Sequence, residues 1–124
     1  LRLGRAQMEP REGDAPQPPT LAQAYARYMD DPTHHWSPST RQAYETTRKF
    51  AVGIIGAEVQ MDALSRAHCR DYLDALRFMP RNASKRFPKL SLKAASELGR
   101  ERNDIELISA ANANAHLANF SSFL

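Results

Sequence analysis

Arg81, Lys85, Arg86, Lys89 and Lys93 fall within thirteen consecutive residues that contain no acid. Cations so concentrated set up a field, and the partner such a field selects is a polyanion. Nucleic-acid binding uses it most directly, because each Lys or Arg that meets a phosphate releases condensed counterions. Asn82, inside the run, adds a short amide to Lys85, Arg86 and Lys89 as binding candidates. A second group precedes it. Ser39 and Thr40 stand at the start of a predicted helix, where unpaired backbone N–H groups favour phosphate. Arg41, Arg48 and Lys49 follow on that helix's outer face. Arg41 and Arg48 are two turns apart, about 10 Å by helix rise, so both would track one groove wall. Arg also pairs bidentately with a guanine edge. A third group lies near the C-terminus, with Asn112 and Asn114 suited to base edges and His116 to phosphate.

Other chemistries find less support. His34 and His35 lie close to Asp30 and Asp31, but adjacent histidines in a loop rarely both hold one metal ion, and no further ligand cluster follows. His68 and Cys69 are helix neighbours, whose side chains point about 100° apart, so they make no catalytic pair. Tyr25, Tyr28, Tyr44 and Tyr72 fall on apolar helical stripes and read as core, as does Cys69. No nucleophile, acid–base pair or metal constellation emerges; the expectation is a non-enzymatic domain with no cofactor and no metal.

The charge pattern is local. The 124 residues carry a formal net charge of +3, whereas residues 81–102 hold seven bases against two acids. Residues 20–79 balance at seven of each, and residues 103–124 contribute two acids and no base. A hydrophobic content of 42% and a charged content of 25% are ordinary for a soluble domain. The single Cys69 offers no internal disulfide and fits a reducing, cytoplasmic setting. No apolar run reaches the roughly 20 residues of a membrane helix. Leu1–Gln7 lacks a secretory core, and a first residue other than Met is expected of a piece of a longer chain.

The elements that must position these groups are helices. Pro10, Pro16, Pro18 and Pro19 mark residues 1–19 as a flexible tail, with order expected from Thr20. Thr20 caps a helix over Leu21–Met29, and Asp31-Pro32 breaks it. Ser37-Pro38 opens a second, running to about Ile55, with Gly56 placed for a left-handed cap. Its apolar face carries Ala43, Tyr44, Phe50, Ala51, Ile54 and Ile55. Ser65 caps a third, to about Phe78, burying Cys69, Tyr72, Leu73 and Leu76. The basic stretch between Pro80 and Pro88 reads as a connector. A helix over about Ser91–Arg102 and a last one, capped by Ser109, over Ala110–Leu124 complete a small all-α bundle of four to five helices.

Several motifs then stand in a fixed order. Thr40-Arg41-Gln42-Ala43-Tyr44 opens a helix that Phe50 and Gly56 close; Leu64-Ser65 starts the next; Pro80-Arg81-Asn82-Ala83-Ser84-Lys85-Arg86-Phe87-Pro88 follows. Ile108-Ser109 and Asn114-Ala115-His116-Leu117-Ala118-Asn119-Phe120-Ser121-Ser122-Phe123 end the series. Over residues 20–124 this order resembles the N-terminal core-binding domain of the tyrosine recombinases, the phage integrases. The resemblance implies a SAM-like helical bundle that forms one half of a clamp on double-stranded DNA at the core attachment site. Its second and last main helices would lie against the major groove. It implies that a separate catalytic domain, whose motifs are absent from this chain, cuts and rejoins strands through a 3′-phosphotyrosine. It further implies a tetramer of the parent protein on DNA in a bacterial or phage-infected cytoplasm, associated with the nucleoid. Ala110, Ala111, Asn112 and Ala113 depart from the basic residue or Thr often found at the start of the last helix. The reading from a different class is a helical interaction domain whose cations face an acidic protein.

Overall fold

A computed structural model of the chain describes residues 17–124. The expected tail lies mostly outside them. Order begins earlier than Thr20, since Pro18 and Pro19 are half-buried and the Pro19 carbonyl accepts the Met61 N–H at 2.9 Å.

Among the described residues there are six α-helices and no named strand. They are α1 (Leu21–Asp30), α2 (Pro38–Ile55), α3 (Arg66–Arg77), α4 (Ala83–Arg86), α5 (Leu92–Glu101) and α6 (Ala110–Phe123), with a 3₁₀ turn at Met61–Ala63. Each long helix starts at a hydroxyl that accepts an otherwise unpaired backbone N–H. Thr20 accepts from Gln23, Ser37 from Thr40, Ser65 from His68, Ser91 from Ala94 and Ser109 from Asn112. The Thr20 and Ser65 backbone N–H groups donate in return to Gln23 Oε1 and His68 Nδ1. Gly56 ends α2 at φ 125° and ψ 128°, a positive-φ extended turn and not the left-handed cap expected.

The central helix is α2, which packs against α1, α3, α5 and α6. Its inward face is Thr47, Ala51 and Ile54. Ala43, expected on that face, is exposed, and Leu73 and Cys69 on α3 are only half-buried beside Tyr72, Ala75 and Leu76. The core closes with Leu21, Tyr25 and Met29 of α1 against Phe120 of α6, whose ring lies 4.9 Å from that of Tyr72. Burial pushes the Tyr25 and Tyr72 hydroxyls well above the usual phenol range, so both rings are neutral packing groups. Small residues let α5 approach α3. Ser96, fully buried, donates to the Ala75 carbonyl at 2.8 Å, and Gly99 lies one turn further on against Phe78.

Two backbone bonds fix the basic connector beside the start of α6. The Arg81 N–H donates to the Glu106 carbonyl at 2.8 Å, and the Ile108 N–H to the Met79 carbonyl at 2.9 Å. Asn82 then takes a left-handed conformation, φ 56° and ψ 39°, which Asn tolerates better than most residues. It turns the chain into α4, a single turn within the stretch expected as an irregular connector. Six helices thus replace the four to five expected.

Candidate nucleic-acid interface

The connector, α2 and α6 enclose a cleft of about 450 Å³. Gln42, Thr46, Lys49 and Phe50 of α2 line one wall, Arg81, Asn82 and Lys85 a second, and Asn112 and His116 of α6 a third. Its lining includes three cations and no carboxylate. Five of the residues singled out in the sequence therefore meet: Lys49, Asn82, Lys85, Asn112 and His116. Arg81 of the basic run joins them, as do Gln42 and Thr46, which had not been singled out. Gln42, Thr46 and Lys49 form a polar stripe at helical spacing, a signal legible in the sequence once α2 was placed.

The remaining candidates go elsewhere. Arg41, though exposed, is held by its own fold: Nη2 donates to the Met29 carbonyl at 2.9 Å, and the guanidinium lies 5.8 Å from the Trp36 ring centroid. This joins α1 to α2, and Arg41 does not line the cleft. Arg48 pairs with Glu45 at 3.0 Å. The Ser37 hydroxyl contacts those of Ser39 and Thr40, so these groups serve the start of α2, away from the cleft. Asn114 is exposed on α6 and does not line it. Arg86 sits 5.4 Å from the Phe87 ring centroid, and Lys89 is exposed beyond it.

Ion pairs thin out the basic stretch. Arg81 meets Glu106 at 2.7 Å, Arg100 meets Asp74, and Arg102 meets Asp104, whose carboxyl is held below its ordinary range chiefly by that hydrogen bond. Lys93 lines a different cleft, of about 430 Å³, together with Asp71, Asp74, Glu97 and Arg100, where its charge is opposed. Lys85, Arg86 and Lys89 make no ion pair among the described residues. With Lys49 they form the cationic surface on and beside the cleft.

His116, expected to meet phosphate, is tied into the fold by one ring nitrogen. It is half-buried, edge-on to Phe50 at 4.9 Å, and its Nδ1 lies 2.8 Å from the Thr47 hydroxyl. That hydroxyl, fully buried, is also 3.1 Å from the Ala43 carbonyl and accepts from Asn119 Nδ2 at 3.2 Å. Burial holds protonation of His116 below the ordinary histidine range. Thr47→Val keeps the shape but leaves the α6 polar groups without their α2 partner, so it should lower unfolding free energy by about 1–3 kcal/mol in a denaturant titration.

An aromatic ladder lies at the start of α2, outside the lining of the cleft. Trp36 is stacked between His34 at 3.9 Å and Tyr44 at 4.4 Å, so both its faces are covered. His34 Nε2 lies 2.7 Å from the Tyr28 carbonyl. Among the described residues no group of three or more His, Cys, Asp or Glu is placed to hold a metal ion, and no helix is long and apolar enough to cross a membrane.

The class that fold and site define is an all-α domain with a cationic interhelical cleft. Comparison with protein-family models, curated proteins and solved structures finds no match to the chain.

Proposed function

We propose that residues 20–124 are a duplex-DNA-binding domain of the kind found in tyrosine-type site-specific recombinases. In this reading a SAM-like bundle grips the core attachment site while a separate domain performs strand exchange. The observation that carries it is the acid-free cleft, in which Lys49, Asn82, Lys85 and Asn112 come together from three separate parts of the chain. Cations on rigid elements suit phosphate, and Asn amides beside them suit base edges or sugar. Lys49, Lys85, Arg86 and Lys89 act as phosphate anchors with little sequence preference, while Gln42 and Asn112 stand where a base edge would be read. Arg41 has no part in reading.

Fluorescence anisotropy with a labelled random-sequence duplex, run beside an acidic polypeptide of matched charge, tests the proposal. Binding of the duplex in preference to the polypeptide is the expected result. Equal or stronger capture of the polypeptide would favour an acidic-protein partner.

A further inference from the structure

The hydroxyl of Thr47 has three neighbours and one proton. It lies 3.1 Å from the Ala43 carbonyl, which can only accept, and 3.2 Å from Asn119 Nδ2, which donates. Its third neighbour, 2.8 Å away, is His116 Nδ1. All three bonds form together only when Thr47 donates to Ala43 and accepts twice, which requires a proton on His116 Nδ1. The neutral ring then carries its lone pair on Nε2. That atom makes no hydrogen bond among the described residues, on a half-buried ring that lines the cleft.

The charged groups that line the cleft with the ring are Lys49 from α2 and Arg81 and Lys85 from the connector, Arg81 being paired with Glu106. Leu92 of α5, Ile108 and Asn112 bring no charge. A phosphate drawn in by those cations would meet an unprotonated Nε2, and two acceptors repel. A proton on Nε2 turns the contact into a charge-assisted hydrogen bond and leaves every Thr47 bond intact.

Resting on the DNA-binding reading, we infer that the cleft seats a backbone phosphate beside His116 and that His116 takes up a proton at Nε2 as the phosphate enters. The proton comes from solvent, and no covalent bond to the ligand changes. Binding therefore strengthens as pH falls, because the phosphate favours the protonated ring that the free protein disfavours. The sign is the opposite of a buried histidine acting alone, where acid only destabilises the fold.

The test is anisotropy on a random-sequence duplex at constant ionic strength from about pH 7.5 to about pH 5.5, across the histidine range. His116→Asn is the comparison, since its amide can keep a bond to Thr47 but cannot titrate. Wild-type affinity should rise about fivefold more than that of the variant, within the roughly tenfold that a one-unit pKa rise supplies. His34, His35 and His68 are common to both proteins and cancel. NMR titration of the wild-type His116 ring, with and without duplex, reads proton uptake directly and needs no variant: the midpoint should move up on binding. An unmoved midpoint in a protein that binds duplex would overturn the inference and spare the DNA reading. Absence of duplex binding at every pH would overturn both.

Discussion

Gly99→Ala is expected to destabilise the protein by about 3 kcal/mol, lowering its melting temperature by roughly 15 °C. A methyl group at this buried position would lie 2.1 Å from the Phe78 carbonyl oxygen and 3.0 Å from Leu107 Cδ2. The first of these is backbone at the end of α3 and cannot swing aside. Either α5 lifts from α3, which weakens the Ser96–Ala75 bond, or the chain at Phe78 shifts together with the connector that follows it. Gly53 is the contrasting site. It is exposed on α2, and the atoms nearest an added methyl belong to the flexible Leu92 side chain, the first at 2.8 Å. Its gain in helix propensity is about 1 kcal/mol and opposes that crowding, so Gly53→Ala should change stability by less than about 1 kcal/mol. Thermal unfolding followed by circular dichroism measures both. Equal effects at the two glycines would contradict the account of α5 docking.

Lys49→Ala with Lys85→Ala should weaken duplex binding by about tenfold to thirtyfold at moderate salt, on the order of 1 kcal/mol per phosphate contact. Both side chains are exposed, so the fold should be unaffected. The substitution removes two of the cleft's three cations; the third, Arg81, already meets Glu106. The salt dependence should flatten by about two units of slope, at roughly 0.9 per phosphate. Arg100 and Arg102 provide the control. They lie in the same basic stretch but are paired with Asp74 and Asp104, so Ala at those positions should leave affinity within about twofold.

The helices were legible because their signals are local. Thr20, Ser37, Ser65 and Ser109 announce their helices through the side chain's own reach to a backbone N–H, and that requires no knowledge of the rest of the fold. The one-turn α4 was not legible. It depends on the left-handed turn at Asn82 and on the connector being clipped to residues 106–108, both consequences of tertiary structure. The site divides along the same line. Cations and amides could be nominated by type, but Arg41 and Lys49 look alike on a helix face until α1 supplies the Met29 carbonyl that takes Arg41. His116 could be singled out, but not its burial, because Thr47 lies on another helix and carries no sequence mark of the bond. Raw charge overstated the connector: Arg81, Arg100 and Arg102 are each paired with an acid. What survives is smaller and better placed, a few cations on and beside one cleft.

The most direct test of the central claim is the salt dependence of wild-type binding to a random-sequence duplex. With Lys49, Lys85, Arg86 and Lys89 each meeting a phosphate, log K against log salt should be linear with a slope of about −3 to −4 between about 50 and about 200 mM. A slope near zero, or no binding at the lowest salt, would contradict it.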